Sequence, residues 1–421
     1  MKMTKHSCKP VRLLTGKYGV LLLTVLHVCL ACLILTLSNY WVAVLARSQN
    51  TDFMTFFLPD YRIGFVSRAF VGSVIYLFTD HPTVRMVTIV LWITIVISSV
   101  LLCRMQALLV KKTLLASDYA TLLLSYLFFL NKLFWWNSVE GFGLLDIFMT
   151  LLVQLFLLGI EHKRTLGYWL SPIVCFIGLL IHTAFFFAYF PVVAAILWFD
   201  LLKSGKPSRG CAAAFAVTCA VSVALFAMFT VFPQHFVRVD SNEMLSMLKE
   251  KYDGDIMDTY FISHMYRTNG EKYADTIEAS GFLEYAGVGT NIFSPKILQG
   301  VLVLVPLSGL FVFGCVTHMR RSGSRITAYL GFIAPLVTLV PSLHFSTDKE
   351  RFFSLCILAQ YMMLHYISTQ SDVRFLPSYD DLPKKKLSAY AAQQRREKVR
   401  RLMRVCAAAV IVYSVAIALW R

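Results

Sequence analysis

The chain has 421 residues, of which 57% are hydrophobic and only 15% charged, and its mean hydropathy is +0.64. Soluble domains are about 45–50% apolar and about 25% charged, so this composition excludes a soluble globular enzyme, a disordered chain and a disulfide-stapled secreted domain. The formal net charge of +16 would suggest nucleic acid in a soluble protein, but in a membrane chain it first asks which side of the bilayer holds the cations.

From the N-terminus, a basic tail over 1–17 (Lys2, Lys5, Lys9, Arg12, Lys17) runs into an apolar stretch at 18–46. That stretch is too long for a cleaved signal, whose apolar core is about 7–15 residues, and predicts a retained signal anchor. Further spans are predicted at 86–103, 113–131, 143–160, 211–232, 297–316, 326–344, 352–368 and 405–420, each near the roughly 20 apolar residues that cross a bilayer. The 32-residue apolar stretch 168–199 decides the topology. Read as a hairpin of two short helices turning near His182 and Thr183, it keeps 1–17, 104–112, 161–167, 200–210, 317–325 and 369–404 on one side. Those segments hold 26 of the 40 Lys and Arg, as the cytoplasmic side should. The predicted fold is therefore all-α and polytopic, with about eleven spans. Its parts are a cytoplasmic tail 1–17, a bundle 18–368, a basic cytoplasmic segment 369–404 and a final membrane helix 405–421. The expected location is the plasma (inner) membrane, with the N-terminus cytoplasmic.

Acidic residues show the opposite bias, with 17 of 24 at or near the outer face. The first outer segment carries Asp52, then Pro59-Asp60-Tyr61-Arg62, then an amphipathic stretch 63–78 that includes Arg68. It predicts an interfacial or re-entrant helix. A carboxylate can take a proton as a general base, and arginine forks grip phosphate. In the second outer loop, Trp135-Trp136 reads as an aromatic-belt anchor. Glu140 lies free in that loop, and Asp146 sits just inside the next span, where an acid needs a cavity or a partner. His182 in the hairpin turn can serve as a base or donor, with Pro191 breaking the return helix. The turn His344–Phe353 offers Asp348 and Arg351 one helical turn apart. In the outer loop 233–296, Asp240 and Glu243 predict a capped helix near 241–252. Asp253-Gly254-Asp255 fails the calcium-loop pattern. No metal-ligand Cys/His spacing is present; a divalent cation remains an option without assigned ligands. The basic run in 369–404 reads as a segment against anionic lipid, not a nucleic-acid site.

In layout the chain resembles bacterial membrane machines that handle polyprenyl-linked sugars. It is similar to the C-type membrane glycosyltransferases in Asp60 (or Asp52), the stretch after it, and Gly143-Leu144-Leu145-Asp146. It is similar to the O-antigen and exopolysaccharide polymerases in Arg62, Arg68, His182 and the large outer loop. The resemblance implies a glycosyltransferase or polymerase for cell-envelope polysaccharide, fed by a polyprenyl-phosphate sugar and working with other polysaccharide-assembly proteins. It implies Asp60 as base with Asp52 second, and His182 beside them. Arg62, Arg68 and Arg351 would hold phosphate, and Glu140, Asp146 and Asp348 the acceptor. A transporter or flippase, and a non-catalytic envelope scaffold, are the alternatives; the first would place charges at mid-membrane.

Overall fold

A computed structural model describes residues 16, 18–39, 42, 44–45, 52–116, 118–139, 141–203, 208–232, 235–239, 241–252, 304–311, 334–339 and 349–370. Among them there is no strand, and the named helices are α1 (Gly19–Leu37), α2 (Ala69–Ile75), α3 (Val84–Ala116), α4 (Tyr119–Phe129), α5 (Lys132–Val139), α6 (Asp146–His162), α7 (Arg164–Ile181), α8 (Phe185–Ala188), α9 (Phe190–Lys203), α10 (Arg209–Thr230), α11 (Ser241–Lys251) and α12 (Lys349–Gln370). Five of these, α1, α3, α7, α10 and α12, are long and apolar enough to cross a membrane. The chain is a helical membrane protein. Its centre is α12, whose apolar window is 89% buried, against 22% for α1 and 28% for α10. The latter two present Leu21, Leu33, Val217 and Val223 outward, as helices facing lipid do.

The hairpin read from the charge pattern is present. Helix α7 stops where His182 turns extended (φ −163°, ψ 133°). Pro191 then sits in the first turn of α9, where its missing N–H costs nothing. That the arms fold back is fixed by Tyr168, near the start of α7, whose hydroxyl donates to Asp200 near the end of α9 (3.1 Å). Tyr366 of α12 donates to the other Asp200 oxygen (2.6 Å), and Arg164 lies 3.6 Å away. Similar polar ties cross the bundle: Gln106 joins Ser125 and Tyr361, and Gln154 joins Ser98. In an apolar surround each such bond satisfies a group that lipid could not.

Two expectations change. The stretch 104–112 is not a cytoplasmic loop: α3 runs unbroken for 33 residues, to Ala116. Arg, Met, Gln, Ala, Leu and Lys all favour helix, so polar letters there mark a change of solvent, not of conformation. Asp118 then caps α4 by accepting from the Thr121 backbone (3.2 Å) and hydroxyl (2.7 Å). The tandem tryptophans are not belt anchors. Residues 132–139 form α5, which is packed against α12, and Trp135 (0% exposed) and Trp136 (4%) are core. The Trp135 indole donates to the Phe129 carbonyl (2.9 Å), and Phe134 meets the Tyr361 ring edge-on.

The segment before α3 is also more buried than an interfacial helix would be. A 3-10 turn over Asp52–Phe56 leads into Phe57 and Leu58, both fully buried, and only Ala69–Ile75 of the expected 63–78 is α-helix. Gly64 (φ +133°) makes the docking possible: its backbone bridges Val237, and a Cβ would stand 2.3 Å from the Phe236 carbonyl. Phe65 N–H donates to Phe236 and Arg238 N–H to Ile63, so the start of the large loop is laid across this segment. The expected helix near 241–252 follows as α11; the rest of the loop, 253–296, lies outside the described residues, as do 371–421.

Candidate functional site

The site residues collect at one end of the bundle, where α6 and α12 begin and α7 ends. Pro59-Asp60 starts a turn in which the Asp60 carboxylate accepts the Arg62 backbone N–H (2.8 Å), the usual way an aspartate closes a turn on itself. The same carboxylate takes the Arg62 guanidinium (Nε 2.8 Å, Nη2 2.5 Å) and Lys251 Nζ at 2.9 Å, from the last residue of α11. Both cations lie over the Tyr76 ring, at 4.9 and 4.4 Å from its centre. Asp60 is buried. Burial alone would push its acidity down, but the hydrogen bonds from Arg62 and Lys251 outweigh it and hold the carboxyl below the usual carboxylate range. Burial pushes the Tyr76 phenol above its ordinary value, and its hydroxyl has no partner among the described residues.

A second pair stands where the first outer segment meets the end of α7. The last carbonyls of that helix receive Ser67 Oγ (to Leu179, 3.2 Å) and Arg68 N–H (to Leu180, 2.8 Å). Arg68 itself is left-handed (φ +75°), and beside Asn39 it is the one non-glycine residue with positive φ among those described. Its Nη2 lies 3.1 Å from His182 Nε2. His182 Nδ1 accepts the Ala184 N–H (2.9 Å). The guanidinium can only donate, so Nε2 accepts in that bond; a neutral imidazole has one acceptor nitrogen, and the ring tautomer therefore selects between the Arg68 and Ala184 bonds.

The third pair is Asp146 and Arg351. Asp146 opens α6 with its side chain 1% exposed, and Arg351 in the first turn of α12 grips it with Nε on one oxygen and Nη2 on the other (2.7 Å). The acid inside the span thus has the partner its position demanded. Gly143 (φ +88°) sets the approach to α6, and a Cβ there would lie 2.5 Å from Phe53.

Of the sequence-predicted site residues, Asp60, Arg62, Arg68, Asp146, His182 and Arg351 come together as these three pairs. Asp52 begins the 3-10 turn, and its side chain lies outside the described residues, as do Glu140 and Asp348. Lys251 and Tyr76 were missed. Lys251 is 191 residues from Asp60, and no local pattern announces it. Among the described residues no three His, Cys, Asp or Glu side chains converge as for a metal ion.

Compared with known proteins, the chain matches no family model, no curated protein and no solved structure.

Proposed function

We propose that the chain is a membrane glycosyltransferase or glycan polymerase that uses a polyprenyl-phosphate-linked sugar at the outer face in cell-envelope polysaccharide synthesis. The observation that carries this reading is the buried Asp60 carboxylate held by two cations, Arg62 and Lys251, against the Tyr76 ring. At rest the carboxylate is too well satisfied to be a strong base. An incoming lipid phosphate competes for the same two cations. As they turn toward it, Asp60 loses the hydrogen bonds that keep it acidic and regains affinity for a proton. The acceptor hydroxyl then attacks the anomeric carbon as its proton passes to Asp60. The bond from that carbon to the phosphate oxygen breaks, and Arg62 and Lys251 take up the negative charge on the leaving phosphate. The Arg68 guanidinium, oriented by its bond to His182 Nε2, suits a further oxygen of the same phosphate.

Membrane vesicles given a labelled polyprenyl-phosphate sugar and acceptor test the reading. Asp60→Asn should lower transfer by about 10²–10⁴-fold, the range for losing a general base. Arg62→Ala and Lys251→Gln should lower it while raising the donor concentration needed. Full transfer by both Asp60→Asn and Arg62→Ala would remove this assignment.

A further inference from the structure

The opposite end of the bundle, where Glu161 lies, carries a second feature that is independent of the chemistry above. A cavity of about 730 Å³ opens between the start of α1, the last turns of α3 and the ends of α6 and α12. Its lining divides by chemistry. Arg104, Lys111 and Lys112 supply cations, while Val20, Leu115 and Leu158 supply an apolar wall. The one acidic lining residue, Glu161, is already engaged by Arg104 (3.2 Å) and His365 (2.5 Å). Lys111 Nζ donates to the Gly16 carbonyl (3.2 Å), a neutral acceptor that leaves its charge uncompensated. Lys112 Nζ donates to the Thr369 carbonyl and ties α3 to α12.

Depth identifies the ligand. Residues 86–103 of α3 carry no charge and rise about 27 Å, close to the roughly 30 Å of a hydrocarbon core. Arg104 therefore stands at the boundary, and Lys111 about 10 Å beyond it, so the cations bracket the headgroup layer. Neutral sugars or peptides would not need two lysines there beside the Arg104–Glu161 pair, and a free anion would not need the apolar wall. The chain on either side is basic as well: Gly16 follows Lys2, Lys5, Lys9 and Arg12, and Thr369 opens the 369–404 segment with its 10 Lys and Arg. We infer that this cavity binds the phosphate headgroup of an anionic membrane phospholipid, with an acyl chain along Val20 and Leu158 and the headgroup between the lysines and Leu115.

Native mass spectrometry of the purified full chain in neutral detergent, with equal phosphatidylglycerol and phosphatidylcholine of one chain length, tests this. The expected result is preferential retention of phosphatidylglycerol. Each lysine removed should lower that preference about fivefold, the equivalent of about 1 kcal/mol per basic residue at a membrane surface. Lys111→Gln with Lys112→Gln should largely erase it. Leu115→Trp, which fills the cavity and leaves every cation in place, should do the same. Lys163→Gln, an exposed lysine at the same end but outside the cavity, should leave the preference intact. Equal retention of the two lipids by the unaltered chain, or equal loss in Lys163→Gln, overturns the inference. Displacement of the lipid from the unaltered chain by inorganic phosphate alone also overturns it, because the apolar wall would then contribute nothing.

Discussion

Asp60 and Arg68 carry the sharpest consequences of single side chains. Because the Asp60 carboxyl is held below its ordinary value in the fold, its ionised form adds stability that is complete above the ordinary carboxylate value of 3.8 and is lost as pH falls through the lower folded-state value. The difference in Tm between the unaltered chain and Asp60→Asn should thus be constant near neutral pH and shrink only below pH 3.8. A difference that closes at higher pH would mean that the cations do not hold the carboxylate. Arg68 is different, since its backbone is the strained part. Arg68→Gly and Arg68→Ala both remove the guanidinium, but only glycine fits φ +75° without cost, so the glycine variant should be more stable by about 1–2 kcal/mol. If the guanidinium serves the chemistry, both should lose transfer alike. A long side chain kept where glycine would rest more easily marks a position held for its head group.

At the scale of elements, the Asp146–Arg351 pair fastens the start of α6 to the start of α12. Removing one partner leaves a buried charge alone, so Asp146→Ala should cost about 3–5 kcal/mol in unfolding. Replacing both by apolar residues of similar size, Asp146→Leu with Arg351→Met, should recover most of that loss. Transfer by the double variant then separates a fastening role from a binding one. This pair was half legible in the sequence. An acid inside a span announces a need for a partner, but nothing near Asp146 says that the partner lies 205 residues on. The hairpin was fully legible, because charge bias on later loops constrains where the chain must turn. Helix α3 and the two tryptophans misled for one reason. In membrane chains the letters Arg, Lys and Trp report the local solvent, and α3 continues past the change while α5 turns its rings back into the core.

For the whole molecule, the Tyr168–Asp200 bond puts both ends of the hairpin on one side. Reporters fused at Lys163 and at Lys206 should therefore give the same topological signal, cytoplasmic by the charge bias. Opposite signals would mean that the arms do not fold back in the membrane. The basic excess of the chain divides between the two ends of the bundle. At one end Asp60 and Asp146 hold Arg62, Lys251 and Arg351; at the other Glu161 and Asp200 hold Arg104 and Arg164, while Lys111 and Lys112 face the cavity with carbonyl acceptors.

Helix α3 joins those two ends. It holds no proline or glycine over its 33 residues and spans about 50 Å, from just after the Asp60 segment to the lysines of the cavity. A rod of fixed length sets a fixed distance between the Asp60 end of the bundle and the Lys111 end. A bilayer whose thickness departs from that distance must tilt the rod or deform around it, at fractions of a kcal/mol per Å of mismatch.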